Sequence, residues 1–268
     1  MSAEASLEGF DDFEFAHDGV ARPVYRRGSG PGVVVMHEIP GITPEVAGFA
    51  RRVAEEGFTV YMPHMFGKPN KPLSMPYVLG QMGRACISRE FSVLARNESS
   101  PITDWLRALC RHAHAECGGS GVGAIGMCLT GNFALSLMVD ESVMAPVLSQ
   151  PSLPFGVSAS HREALHLSDE DLQIVKRRAN EGAGVLAMRF TGDPMCPGER
   201  FRRLEAELGD GFEAIEIDSG PGNPHGLTRA AHSVVTTELV DEDGHPTQAA
   251  LYRIIEVFRE RLIPSATA

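Results

Sequence analysis

Apolar positions along the chain form short β-branched runs that alternate with stretches of helical period. Residues 33–36 and 58–62 are such runs and predict buried strands, since unbroken apolar segments of this length are typical of parallel sheets. Between them, Thr43 and Pro44 form a helix start, and the apolar positions that follow keep a helical spacing: Val46, Phe49, Ala50 and Val53. The pattern continues with predicted strands at 121–125, 145–148, 185–190 and 212–217. Helices are predicted from 101 up to the glycines at 118 and 119, at 132–139, from 168 onward, at 197–208 and at 250–262.

Strands that alternate with helices indicate βαβ units. We therefore predict an α/β fold with a mostly parallel central sheet and helices on both faces. No stretch resembles a linker or a repeat, so residues 1–268 are expected to form one domain. Residues 67–97 are rich in Pro, Gly and Met and have no clean period, which predicts an irregular insertion over one end of the sheet, a candidate lid.

Composition narrows the class of partner. With 43% hydrophobic and 22% charged residues, the chain can bury a core and is not expected to be disordered. Its formal net charge of −11 repels phosphate backbones and anionic lipid headgroups, so neither nucleic acid nor a membrane is an expected partner. No apolar run approaches the ~20 residues that span a bilayer. An acidic N-terminal segment, unlike a signal peptide, predicts a cytoplasmic protein.

The five cysteines include no CxxC pair, so neither a disulfide framework nor a thiolate zinc site is expected, and an important cysteine should act as a thiol. Residues 126–131 read Gly-Met-Cys-Leu-Thr-Gly between a predicted strand and an apolar helix. A nucleophile on such a corner needs small neighbours two residues away on either side, here Gly126 and Thr130. The following helix directs its N-terminal dipole at Cys128, which favours thiolate, and the N–H of Leu129 is a candidate oxyanion donor. The alternative is a buried structural cysteine.

A cysteine nucleophile needs a base and an orienting carboxylate, which follow it along the chain in hydrolases built on a strand, corner and helix of this kind. Asp193 lies after a predicted strand, where sites of open α/β sheets form, although Gly-Asp-Pro is also a common turn. Two histidines after the last predicted strand, His225 and His232, compete for the role of base.

Several separate segments resemble the dienelactone hydrolases, which are α/β-hydrolases with a Cys-His-Asp triad. The segment 35–41, Val-Met-His-Glu-Ile-Pro-Gly, resembles the family's strand that ends in His-Glu, and 60–66, Val-Tyr-Met-Pro-His-Met-Phe, resembles its next strand and loop. The corner at 126–131 is similar to the family's Gly-x-Cys-Leu-Gly-Gly, departing at Thr130. Asp-Pro-Met-Cys-Pro at 193–197 and Ala-His-Ser-Val at 231–234 resemble the acid loop and the histidine segment. The resemblance covers roughly residues 20–262.

The resemblance implies a role for each residue. Cys128 is the nucleophile, His232 rather than His225 is the general base and acid, and Asp193 fixes the imidazole tautomer. Glu38 corresponds to a glutamate that helps to generate the thiolate, although it could instead be an ordinary solvated carboxylate. The N–H of Ile39 completes the oxyanion hole with Leu129. His37 is expected to be structural.

The implied reaction is hydrolysis of an ester or lactone, which requires no cofactor and no metal. The family's substrate carries a carboxylate held by arginines, one of them four residues after the catalytic histidine, but this chain has Thr236 there. Arg84 or Arg89 is a candidate for another contact, and a different ester, lactone or thioester is an equal candidate for the substrate. The alternatives are a general carboxylesterase or thioesterase, a non-catalytic protein that binds a small molecule, and a redox role for Cys128. The oligomeric state is not indicated.

Overall fold

A computed structural model describes residues 7–87 and 101–264. Their strands form one eight-stranded sheet in the order β1-β2-β4-β3-β5-β6-β7-β8. The strands are β1 (Asp11–His17), β2 (Val20–Gly28), β3 (Gly32–Met36), β4 (Thr59–Pro63), β5 (Val122–Met127), β6 (Val143–Ser149), β7 (Val185–Phe190) and β8 (Phe212–Ile217). The pairs from β4 through β3 to β8 are parallel, whereas β1 with β2 and β2 with β4 are antiparallel. The predicted α/β fold with a mostly parallel sheet is confirmed.

Helices cover both faces of the sheet. They are α1 (Pro44–Glu55), α2 (Met75–Ile87), α3 (Pro101–Cys117), α4 (Gly131–Leu137), α5 (Ala159–Glu163), α6 (Asp169–Asn180), α7 (Gly198–Leu208) and α8 (Pro246–Leu262). Alternate residues of β3 belong to two hydrophobic cores, one on each face of the sheet. Val34 lies in the core that includes Trp105 of α3. Val35 lies in the core that includes Phe49 of α1 and Phe258 of α8. This two-sided burial explains the unbroken apolar runs of the sequence. No helix in the described ranges is long and apolar enough to span a membrane.

The predicted helix starts are present. Thr43 caps α1 by accepting a hydrogen bond from the N–H of Val46 at 3.3 Å, and Ser168 caps α6 by accepting from Asp171 at 3.0 Å. Gly57 follows the end of α1 with φ +92°, a conformation that glycine adopts without steric cost.

Two features of the N-terminal third differ from the sequence prediction. The hairpin of β1 and β2 was not predicted, because its half-exposed positions alternate with charged ones and produce no apolar run. Within the segment 67–97 the structure contains α2, whose Pro76, Gly80 and Gly83 obscure the helical period in the sequence. Residues 88–97 lie outside the described residues, and the lid stays a prediction.

Candidate active site

The candidate site lies at the carboxyl ends of the parallel strands. Glu38 follows β3, Cys128 follows β5, Asp193 follows β7 and His232 follows β8. Because these strands run in the same direction, all four loops emerge at one edge of the sheet, the usual place for sites in open α/β folds.

Cys128 sits on a sharp turn between β5 and α4 with φ +53°, in the left-handed region that side chains rarely adopt. The turn requires glycine two residues earlier, since a Cβ on Gly126 would lie 2.0 Å from the carbonyl oxygen of Thr130. A Cβ on Gly131 would lie 2.5 Å from Cα of Pro151. Cys128 itself is only 8% exposed. A strained backbone at such a corner is a typical means of presenting a nucleophile.

His232 and Asp193 form a tight pair. Nδ1 of His232 lies 2.6 Å from Oδ2 of Asp193, whose other oxygen accepts a hydrogen bond from the N–H of Met195 at 2.9 Å. Asp193 is 4% exposed, so the pair is shielded from water. Nδ1 therefore directs its proton at Asp193, and Nε2 is the nitrogen left to exchange a proton with another group. Nε2 is buried and has no hydrogen-bond partner of good geometry among the described residues.

Charge controls the protonation of His232. Burial by itself lowers the pKa of the imidazole, but the negative charge of Cys128 and the hydrogen bond to Asp193 outweigh it. The net effect raises the pKa of His232 well above its usual range. A histidine that is more basic because a sulfur lies close to it has the electrostatics of a thiolate–imidazolium pair.

Glu38 is buried and is held by neutral donors. One carboxylate oxygen accepts hydrogen bonds from the Ser233 hydroxyl at 2.6 Å and from Nε2 of Gln150 at 3.3 Å. The other oxygen accepts from the Thr236 hydroxyl. Thr236 is the position where the resemblance leads one to expect arginine, so a hydroxyl takes the place of a cation beside this carboxylate. No arginine or lysine of the described ranges forms an ion pair with Glu38.

His37 has a structural position. Its ring is fully buried, Nε2 accepts a hydrogen bond from the N–H of Met65 at 3.1 Å, and Nδ1 lies 3.1 Å from the carbonyl oxygen of Glu38. Burial lowers the pKa of this imidazole to about 3. His37 is therefore neutral and ties the end of β3 to the loop after β4.

A cavity of about 200 Å³ opens in front of Cys128. Four of the predicted site residues line it: Glu38, Ile39, Cys128 and His232. The rest of the lining includes apolar side chains and Glu238. The apolar lining is Leu73, Val78, Phe155 and Met195. Glu238 is half-buried; burial is the main cause that raises its pKa, and the charge of Glu38 adds to this against the opposing effect of His232. Among the described residues, the lining contains two carboxylates and no arginine or lysine.

The structure thus brings together Cys128, His232, Asp193, Glu38 and Ile39, with Leu129 adjacent to the thiol in the turn. His225 is separate from this group: it is exposed and stacks on His245, with ring centroids 5.1 Å apart. The sequence analysis missed Gln150, Ser233 and Glu238. Gln150 belongs to no recognisable motif, and Ser233 lies within the histidine segment 231–234, in which only His232 was given a role. Arg89 lies outside the described residues, as does the side chain of Arg84.

Comparison with known proteins identifies the family of this chain. The sequence model of the dienelactone hydrolase family matches residues 19–262. The chain belongs to the dienelactone hydrolase family. It is 28% identical over 245 residues to a Saccharomyces cerevisiae (strain ATCC 204508 / S288c) protein named "Putative carboxymethylenebutenolidase", covering 89% of this chain and 83% of that protein.

Solved structures share the fold of this dienelactone hydrolase family member. A protein from Klebsiella pneumoniae subsp. pneumoniae MGH 78578, described as "Putative Dienelactone Hydrolase", superposes with a TM-score of 0.61 at 17% identity, covering 94% of this chain and 98% of that one. The dienelactone hydrolase-like promiscuous phosphotriesterase P91 from metagenomic libraries superposes with a TM-score of 0.59 at 17% identity, with the same coverage of both chains. The chain therefore has the α/β-hydrolase fold and is a hydrolase of this family.

Proposed function

We propose that this hydrolase cleaves small carboxylic esters or lactones by acyl transfer to Cys128. The observation that carries the proposal is the placement of a cysteine with φ +53° in the same cavity as a histidine that is paired to a buried aspartate. The cysteine, the histidine and the aspartate correspond to the nucleophile, the base and the orienting acid of a catalytic triad.

In the proposed mechanism the Cys128 proton passes to Nε2 of His232, giving thiolate and imidazolium. The thiolate attacks the carbonyl carbon, and the N–H groups of Leu129 and Ile39 stabilise the oxyanion. Collapse of this intermediate breaks the carbon–oxygen bond, and the leaving alkoxide takes the proton from Nε2. A water molecule then gives a proton to Nε2 and attacks the thioester, and the second collapse releases the acid and restores Cys128 and His232. In a lactone the alcohol stays attached to the acyl group.

Asp193 keeps the His232 proton on Nδ1 throughout this cycle and stabilises the imidazolium. Glu38 is assigned a supporting role in thiolate formation when substrate binds. Both oxygens of Glu38 already accept hydrogen bonds, whereas the ring of His232 is the proposed partner that exchanges a proton with the Cys128 thiol directly. We therefore expect Glu38→Gln to reduce activity less than His232→Ala.

The lining of the cavity favours a substrate without a carboxylate. An anionic group bound beside Cys128 would lie near Glu38 and Glu238, and the described lining offers no arginine or lysine to hold it. Thr236, which stands in place of the family's arginine, is occupied with Glu38. An uncharged ester therefore fits this cavity better than the carboxylated lactone of the family, which supports the carboxylesterase alternative within the same mechanism.

Steady-state hydrolysis tests the proposal. The substrates are p-nitrophenyl butyrate, the p-nitrophenyl half-ester of succinate and a dienelactone, and the proteins are the unaltered chain, Cys128→Ala, His232→Ala and the matched control His225→Ala. We expect turnover of the butyrate, loss of activity in the first two variants, and unchanged activity in His225→Ala. Hydrolysis that persists in Cys128→Ala would refute the nucleophile, and absence of hydrolysis with all three substrates would favour a protein that only binds its ligand.

A further inference from the structure

The Thr130 hydroxyl joins the corner that bears Cys128 to the end of β3. Its oxygen is fully buried and accepts a hydrogen bond from the N–H of Met127 at 2.9 Å. Its own proton faces the carbonyl oxygens of Met36 at 3.1 Å and His37 at 3.3 Å, with that of Met127 at 3.0 Å. The hydroxyl has one proton to donate, so it is shared between the two chain segments.

This contact lies where the sheet ladder ends. Met36 pairs with Gly126 as the last aligned residues of β3 and β5. A side chain that forms hydrogen bonds with both segments extends the hydrogen bonding between them beyond this last pair. Glycine, which the family motif has at this position, has no atom that could do so.

The two oxyanion donors lie on the segments that the hydroxyl connects. Leu129 immediately precedes Thr130, and Ile39 follows His37 by two residues. The distance between the two N–H groups therefore depends on how firmly the end of β3 is held against the corner. Donors of an oxyanion hole act on charge that develops only in the transition state, so small changes in their spacing affect the reaction more than the binding of substrate.

We propose that Thr130 is a positioning residue whose hydroxyl sets the spacing of the Ile39 and Leu129 N–H groups. This inference rests on the proposed function, because it takes those two groups as the oxyanion hole. Valine has nearly the shape of threonine without the hydroxyl, whereas serine retains the hydroxyl and lacks only the methyl group. The two substitutions separate the hydrogen bonds from the packing.

The test compares two reactions of Cys128, of which only one creates an oxyanion. An alkyl trifluoromethyl ketone adds the thiolate to its carbonyl and leaves a bound oxyanion, whereas iodoacetamide alkylates the sulfur without forming one. In Thr130→Val we expect the inhibition constant of the ketone to rise about tenfold. This effect is smaller than the ~10²–10³-fold loss of kcat that follows removal of a whole oxyanion-hole donor, because both donors remain in Thr130→Val. The rate of alkylation should stay within about twofold, and Thr130→Ser should behave as the unaltered protein. For an ester that is turned over, kcat should fall in parallel while KM does not change.

Thr130→Gly supplies a second protein without the hydroxyl in case the buried valine disturbs folding, and it is expected to match Thr130→Val. Ketone binding as tight in both variants as in the unaltered protein would overturn the proposal, as would a serine variant as weak as valine. Failure of the ketone to bind the unaltered protein would refute both the Cys128 chemistry and this inference. The expected ketone pattern without hydrolysis of any ester would instead support Thr130 and refute the proposed ester substrate.

Discussion

The backbone of Cys128 gives a prediction that runs against the ordinary effect of glycine. Replacing alanine with glycine at a buried helical position such as Ala50 should cost ~1 kcal/mol in helix propensity and ~0.8 kcal/mol for the buried methyl group. At position 128 the methyl group is also buried, but a Cβ at φ +53° is strained by about 1–2 kcal/mol. Glycine relieves this strain, so the change from Cys128→Ala to Cys128→Gly should alter the free energy of unfolding by less than ~1 kcal/mol.

Urea unfolding of four proteins measures this difference. Cys128→Gly is compared with Cys128→Ala, and Ala50→Gly is compared with the unaltered protein as the matched control. We expect a loss of ~1.8 kcal/mol at position 50 and a loss smaller by about 1–2 kcal/mol at position 128, with equal denaturant slopes. Equal losses at the two positions would show that the corner stores no strain, and the argument that the backbone presents the nucleophile would lose its physical basis.

Four further predictions follow from the site. Asp193→Asn should lower kcat by about 10³–10⁴, because the asparagine no longer holds the His232 proton on Nδ1; an unchanged kcat would mean that the pair is structural. In Cys128→Ala the pKa of His232, followed by NMR, should lie below that of the unaltered protein, since burial remains and the charge of the sulfur is gone; an equal or higher pKa would contradict the proximity of the two groups. Because the folded pKa of His232 is raised, its imidazolium stabilises the fold fully below pH ~6.5, and this contribution is lost as the pH rises through the folded pKa. Between pH ~6.5 and the folded pKa, the Tm of Asp193→Asn should therefore fall less steeply with pH than the Tm of the unaltered protein. Glu238→Gln should improve kcat/KM for the succinate half-ester relative to the butyrate by roughly threefold to tenfold, and an unchanged ratio would remove Glu238 from the substrate cavity.

The sequence predicts the parallel core of this fold because burial on two faces leaves a direct trace. Strands such as β3 and β5 read as short apolar runs, and the helices between them keep their period and their caps, as at Thr43 and Ser168. The hairpin of β1 and β2 leaves no such trace, since its residues alternate between solvent and protein and many are charged. Sequence patterns therefore describe the parallel strands better than the antiparallel hairpin.

The site divides in the same way. Cys128 and Asp193 stand out in the sequence because each follows a predicted strand and occupies a local motif, whereas the role of Glu38 and the preference for His232 over His225 come from the resemblance. Gln150 contacts Glu38 across a separation of 112 residues, and Glu238 reaches the cavity from an irregular loop. Neither position has a local pattern, because its role is set by which loops the sheet brings together. That juxtaposition is a property of the three-dimensional fold.

The most direct test of the account is to look for the acyl group on Cys128 itself. The unaltered protein is mixed with p-nitrophenyl butyrate, quenched with acid during the first turnover, digested and analysed by mass spectrometry. We expect one butyryl group per chain, located on the peptide that contains Cys128 and absent from those of Cys110 and Cys196, whose thiols are buried. Hydrolysis that proceeds without such an adduct, or an adduct on a different residue, would contradict the central claim that Cys128 is the nucleophile.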